Sequence, residues 1–124
     1  MKIQESAENY LETILMLNNR NGFVRSIDIA NELKFSKASV SVAMKSLREA
    51  GYVMVDENGK ISLTVSGSEI ANKMYERHEV IARVLISLGV DETTAYLDSC
   101  KIEHVISNEA FEKIKEYLEN RTNN

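Results

Sequence analysis

The sequence predicts a mainly helical chain carrying one small β-hairpin, on three observations. Apolar residues recur at i, i+3 and i+4 through most of its length. There is no proline among the 124 residues, so the commonest helix breaker is missing. An Asn-Gly pair, Asn58-Gly59, stands between two short runs rich in β-branched residues, a strong local hairpin signal. Composition agrees with a folded chain: 44% of residues are hydrophobic and 27% charged, which excludes an intrinsically disordered class. The length suits one compact domain or two small units, not a large multi-domain enzyme. No apolar run approaches the roughly 20 residues that span a bilayer. Met1-Lys2-Ile3-Gln4-Glu5-Ser6 lacks the apolar stretch of a secretory leader. The single cysteine, Cys100, rules out an internal disulfide and fits a reducing, cytoplasmic setting.

The elements follow in order. A first helix is expected over residues 5–18, where Tyr10, Leu11, Ile14, Leu15 and Leu17 keep helical spacing; Asn19-Arg20-Asn21-Gly22 ends it. Ser26 caps a short second helix carrying Ile27, Ile29, Ala30 and Leu33, and Lys34-Phe35-Ser36 interrupts it. Ser36 caps a third helix over residues 37–50, with Val40, Ala43, Met44 and Leu47 facing inward and Gly51 as its stop. Residues 52–55 and 61–65 read as strands joined at Asn58-Gly59. A long helix over residues 66–88 presents Ile70, Ala71, Met74, Ile81, Ala82, Leu85 and Leu88. Asp91 caps a fifth helix that reaches about residue 106. Ser107 caps a sixth, where Phe111, Ile114 and Leu118 bury a face against the core or a second copy of the chain.

Net charge is −4, which by itself argues against nucleic acid, but the distribution is uneven. Residues 1–75 carry nine basic and nine acidic side chains; residues 76–124 carry six and ten. Residues 34–48 hold Lys34, Lys37, Lys45 and Arg48 and no acid. A solvated helix face is one reading of that strip and a phosphate-facing surface the other. The element order decides between them. Two short helices joined by a tight turn and followed by a hairpin make a winged helix-turn-helix, whose second helix enters the major groove by its N-terminal end. That end is Ser36, Lys37, Ala38, Ser39 and Ser41. Small and hydroxylated residues allow close approach, and hydroxyls and helix N-terminal amides bond phosphate oxygens. Val42 can touch a thymine methyl, Lys45 adds charge, and the wing tip, Asn58 and Lys60, reaches a neighbouring phosphate. No Arg, Gln or Asn stands on the leading turn, so DNA shape should supply part of the readout.

A second constellation concerns metal. Cys100, Glu103 and His104 stand at i, i+3 and i+4, which on a helix puts thiolate, carboxylate and imidazole on one face. Asn9 and Glu12, at i and i+3 on the first helix, offer two more oxygen donors, and His78 lies within the long helix. Each has a plainer reading. A lone cysteine is most often a small buried hydrophobe, a lone histidine a satisfied core or surface residue, and Glu12 and Glu103 solvated acids. A site assembled from three helices would couple metal occupancy to their order.

With these segments in view the whole chain resembles the metal-dependent transcriptional repressors that include the diphtheria toxin repressor, the iron-dependent regulators and the manganese transport regulator. The resemblance lies in Asn9-Tyr10-Leu11-Glu12-x-Ile14, in Ser36-Lys37-Ala38-Ser39-Val40-Ser41, and in Leu63-Thr64-x-x-Gly67. It extends to Arg77-His78-Glu79 and to the run from Cys100 through Glu103-His104 to Ser107. It implies a homodimer with an N-terminal winged helix over residues 1–65, which binds a double-stranded DNA operator, and a helical metal-binding and dimerisation domain over residues 66–124. It implies Asn9, Glu12, His78, Cys100, Glu103 and His104 as ligands and a divalent metal as co-repressor of metal-homeostasis genes. Fe(II) or Mn(II) comes first among the ions, with Zn(II) or Co(II) as alternatives. Iron-type members resemble this chain at Cys100 but carry methionine at the position of Asn9. Manganese-type members carry aspartate there and glutamate at Cys100. The SH3-like domain of some members has no counterpart in these 124 residues.

Two other readings compete. A winged-helix regulator that is metal-independent, or answers to another ligand, keeps the DNA surface and discards the metal site. An enzyme with Cys100 as nucleophile and His104 as base needs an electropositive thiolate, and Glu103 beside it works against that; no phosphate-binding glycine loop is present either. The chain is therefore expected to be a non-enzyme.

Overall fold

The structure, a computed structural model, describes residues 3–122. Six helices and one hairpin follow in the order α1 (Ile3–Asn21), α2 (Ser26–Leu33), α3 (Lys37–Glu49), β1 (Val53–Val55), β2 (Ile61–Leu63), α4 (Val65–Ser87), α5 (Glu92–Ile102) and α6 (Asn108–Thr122). The chain divides into two compact units, Met1–Asn72 and Lys73–Asn124, with the division inside α4. Among the described residues no helix is long and apolar enough to cross a membrane.

The first unit is built on one apolar cluster. Leu11 and Ile14 from α1, Ile29 from α2, Val40 and Met44 from α3, and Val53 and Ile61 from the hairpin are all buried. The 3.6-residue period of α3 thus turns Val40 and Met44 inward and leaves Val42 outside, 67% exposed. Ile27, expected on the inner stripe of α2, is instead 40% exposed, and Ile29 and Ala30 carry that face. The α2 start also differs from expectation. Arg25, not Ser26, is the N-cap, and its main-chain N–H donates to the Asp28 carboxylate at 2.9 Å. Asp28, at the third helical position, thereby supplies the N3 half of a capping box, satisfying the amide of the N-cap residue. Ser36 caps α3 as expected, its hydroxyl accepting from the Ser39 amide at 3.1 Å.

Strands β1 and β2 pair antiparallel with Val53 opposite Leu63 and Val55 opposite Ile61. The expected second strand is shorter by two residues, because Thr64 leaves the sheet to start α4. Its hydroxyl accepts from the Gly67 amide at 3.1 Å and donates to the Gly51 carbonyl at 2.7 Å. The wing loop is the expected connection over residues 56–60. The Asp56 carboxylate accepts from the amides of Asn58 and Lys60, and only Gly59 takes positive φ, at 82°. That is a turn followed by a left-handed glycine, a longer hairpin connection that glycine makes without strain.

In the second unit Met74, Ile81 and Ala82 of α4, Ala95 of α5 and Phe111 of α6 are buried. Asp91 caps α5 through the Thr94 amide, and the Ser107 hydroxyl accepts from the Ala110 amide at the head of α6. Helix α5 ends at Ile102, four residues earlier than expected, and Glu103 is its C-cap in right-handed helical conformation. Phe111 faces the core, whereas Ile114 and Leu118 are half-buried.

Candidate metal centre and DNA-facing surface

His78 and Arg77 leave α4 side by side, and both are buried. Three groups of α5 and its cap converge on His78 Nδ1: the Glu103 carboxylate at 3.3 Å, the Ser99 hydroxyl at 3.1 Å and the Cys100 sulfur at 3.6 Å. Ser99 gives its own proton to the Tyr96 carbonyl, so its oxygen is left to accept from the imidazole. The second carboxylate oxygen of Glu103 lies 3.3 Å from His104 Nε2. Although α5 formally ends at Ile102, the Glu103 amide still bonds the Ser99 carbonyl at 3.0 Å. The i, i+3 relation between Cys100 and Glu103 therefore survives past the helix end.

Sulfur and carboxylate together hold His78 protonated. The Cys100 sulfur is the larger cause and the Glu103 carboxylate the next; they outweigh burial, and the imidazole is pushed up to about 10 from an ordinary 6.5. A proton thus sits where acceptors of three kinds meet. His78, Cys100 and Glu103 each offer one ligand atom, all within 4.8 Å of one another. Imidazole, thiolate and carboxylate at that separation suit a divalent transition ion, and one edge of the cluster, Cys100, is exposed. The donor set fits the group that the sequence implies.

Asn9 and Glu12 stand three residues apart on one face of α1, in the first unit, where the Asn9 carbonyl accepts from the Thr13 hydroxyl at 2.8 Å. His104 faces Glu103, and the imidazole beside Cys100 is that of His78. Sequence reasoning alone does not find Ser99 or Arg77. Ser99 has no local signal; the one signal for Arg77 is its place next to His78 in Arg77-His78-Glu79.

The second surface lies on the first unit. Ser36, Lys37, Ala38, Ser39, Ser41, Val42 and Lys45 are all exposed along α3, and Lys37, Ser41 and Lys45 share one stripe at i, i+4 and i+8. Ser36 is partly committed, since its hydroxyl donates to Ser39 Oγ at 2.9 Å while capping the helix. Asn58 and Lys60 are exposed on the wing. An open groove of about 160 Å³ between α3 and the wing is lined by Ser26, Ser41, Met44, Lys45, Arg48 and Val55. Here too the structure adds a residue. Arg25 donates from Nε to the Asn58 carbonyl at 3.3 Å, and its guanidinium lies 5.3 Å from the centre of the Phe23 ring; Lys60 Nζ is 5.6 Å from the same centre. Two cations therefore share one aromatic platform at the wing.

Comparison with known proteins gives the family. Residues 2–60 match the sequence model described as "Iron dependent repressor, N-terminal DNA binding domain". Residues 64–124 match "Iron dependent repressor, metal binding and dimerisation domain". The chain is 34% identical over 119 residues to an uncharacterised HTH-type transcriptional regulator of Methanocaldococcus jannaschii, covering 94% of this chain and 95% of that one. It is 34% identical over 114 residues to the HTH-type transcriptional regulator MntR of Shouchella clausii, covering 92% of this chain and 80% of the other. The crystal structure of IdeR from T. acidophilum superposes with a TM-score of 0.79 at 27% identity over 90% of this chain; the chain spans about half the length of that protein, 53%. The protein belongs to the iron-dependent repressor family. It is a metal-responsive transcriptional repressor rather than an enzyme, with a divalent metal as its cofactor and with DNA and a second copy of itself as partners.

Proposed function

We propose that the protein represses genes of metal homeostasis when a divalent ion is held by His78, Cys100 and Glu103, with His104, Asn9 and Glu12 as the further donors. The observation that carries this reading is the convergence of imidazole, thiol and carboxylate from α4 and α5 around one proton. A bound ion supplies positive charge and coordination bonds to donors on separate helices. The chain does the rest. To hold an ion, His78 would give up its Nδ1 proton, Cys100 would serve as thiolate, and Glu103 would offer its carboxylate. Donors on α1, α4 and α5 make metal occupancy and helix order one equilibrium, so DNA binding no longer bears the ordering cost. Cys100 puts a soft donor in the set and neutral Asn9 removes an anionic one, which favours Fe(II) over Mn(II), with Co(II) and Zn(II) accepted by the same donors.

Residues 1–65 form the DNA-binding part in this reading and residues 66–124 the metal-binding and dimerising part. The operator is double-stranded and read by α3: Lys37, Lys45, Asn58 and Lys60 face phosphates, Ser36, Ser39 and Ser41 hold the backbone, and Ala38 and Val42 lie against base edges. Leu88, Leu97 and Val105, all more than 60% exposed, offer apolar surface to the second copy. A dimer sets two recognition helices about one DNA turn apart, so the operator is an inverted repeat.

Anaerobic calorimetry of the reduced, metal-free protein with Fe(II), Mn(II), Co(II) and Zn(II) tests the site. The same titration on Cys100→Ala should lose or re-rank binding. Selection from random-sequence duplexes, with and without Co(II), tests the response. Metal-dependent enrichment of an inverted repeat is expected. Saturable uptake of no ion, or equal enrichment in both arms, would sink the reading.

A further inference from the structure

Arg77 is 6% exposed. Its Nη1 donates to the main-chain carbonyls of Glu103 and Ile106, both at 3.0 Å, and Nη2 reaches Asn108 Oδ1 at 3.5 Å. The guanidinium lies 5.4 Å from the centre of the Phe111 ring. Taking a guanidinium out of water is costly unless its donors are satisfied; here Nη1 and Nη2 meet three neutral oxygens, while the buried Nε meets no acceptor. The side chain is therefore not placed to meet a carboxylate. It spans residues 103–108, the link between α5 and α6.

That link begins where α5 ends. Carbonyls past a helix C-terminus lack intrahelical partners, and the helix dipole favours a cation there. A planar fork serves better here than an ammonium, because one amino group can serve two carbonyls while the stack on Phe111 fixes its plane. The same link carries Glu103 and His104, and the neighbour of Arg77 on α4 is His78. Consecutive residues thus play complementary roles. His78 offers a ligand atom, and Arg77 fixes the segment that offers the facing ones.

We infer that Arg77 is a positioning residue of the metal site: its guanidinium holds the 103–108 link, and with it the Glu103 carboxylate, against the helix that bears His78. The inference rests on the metal reading given above. It assigns to Arg77 an effect on metal affinity that passes through Glu103 and not through Cys100, which stands on α5 ahead of the link.

A double-mutant cycle with Co(II) as probe tests it, using the full-length reduced protein and reading affinity by titration and the thiolate-to-Co(II) absorption band. Arg77→Met should weaken Co(II) binding by about 10–100-fold, the usual effect of losing an outer-shell partner. The absorption band from Cys100 should persist at saturation. In a Glu103→Gln background the same change should cost less than about twofold, since the group it positions no longer ligates as a carboxylate. Arg77→Lys, which keeps the buried charge and reaches one carbonyl, carries the same cycle if Arg77→Met is unfolded at the assay temperature. Equal losses in both backgrounds, or unchanged affinity in Arg77→Met, overturn the assignment. A wild-type protein that takes up no Co(II) overturns the metal reading and this inference together, and the first titration separates that result from the others.

Discussion

Replacing Gly67 by alanine should loosen the first unit at the exit of the wing. The Gly67 Cα lies so close to the hairpin that an added Cβ would stand 2.0 Å from the Tyr52 carbonyl oxygen and 3.0 Å from its carbon. An ordinary carbon–oxygen approach is about 3.3 Å, so one side must move by more than an ångström. Neither side is a flexible side chain. The Tyr52 carbonyl accepts from the Thr64 amide at 3.0 Å, and Thr64 is tied to Gly51 and to Gly67 itself through its hydroxyl. Overpacking of this kind costs about 1–3 kcal/mol, and losing the Tyr52 hydrogen bond adds about 1. A sum of about 2–4 kcal/mol is a large part of the roughly 5–15 that holds a small protein. Urea denaturation followed by far-ultraviolet circular dichroism should show the midpoint falling by about 1–2 M, given a slope of about 2 kcal/mol per molar. Val65→Ala, two residues earlier on the same helix and 78% exposed, is the control and should leave the midpoint in place. A Gly67→Ala midpoint within about 0.2 M of wild type would refute the close-approach argument.

Three further outcomes are expected. His78 is raised from 6.5 to about 10, so its contribution to the metal-free fold is complete below pH 6.5 and is lost as pH climbs toward 10. Melting temperatures across that window should fall in wild type relative to His78→Gln, and Co(II) affinity should rise with pH, since His78 gives up its proton and Cys100 binds as thiolate; a flat profile in both would contradict the proton-holding cluster. Lys34 ends α2 with φ at 59°, a left-handed conformation that costs a non-glycine residue about 1–2 kcal/mol. Lys34→Gly should raise the urea midpoint, and a decrease would show that the Lys34 side chain matters more than its backbone. Arg25→Ala should weaken binding to all duplexes alike and reduce the salt slope by about one, a change that anisotropy titrations at several salt concentrations would register or deny.

Local chemistry makes much of the first unit readable without coordinates. The Ser36 cap, the inward stripe of Val40 and Met44, and the outward run from Lys37 through Lys45 follow from the 3.6-residue period and from hydrogen bonds within one helical turn. The hairpin placed at Asn58-Gly59 forms with the expected 56–60 connection, whereas the expected Ser26 cap gives way to Arg25, whose amide is bonded by Asp28. The Cys100, Glu103 and His104 spacing is legible as one helical face, and the link from Cys100 to Glu103 persists even though α5 stops at Ile102.

The sequence by itself determined most of the elements, the acid-free start of α3 and the spacing of the candidate donors within each helix, because those depend on neighbours three or four positions away. Tertiary structure alone decided which imidazole meets Cys100, why residue 67 has no side chain, and why Arg77 is buried. These are contacts between segments more than ten residues apart in sequence. No periodicity encodes them; they come into being only when packing brings one helix end against another helix.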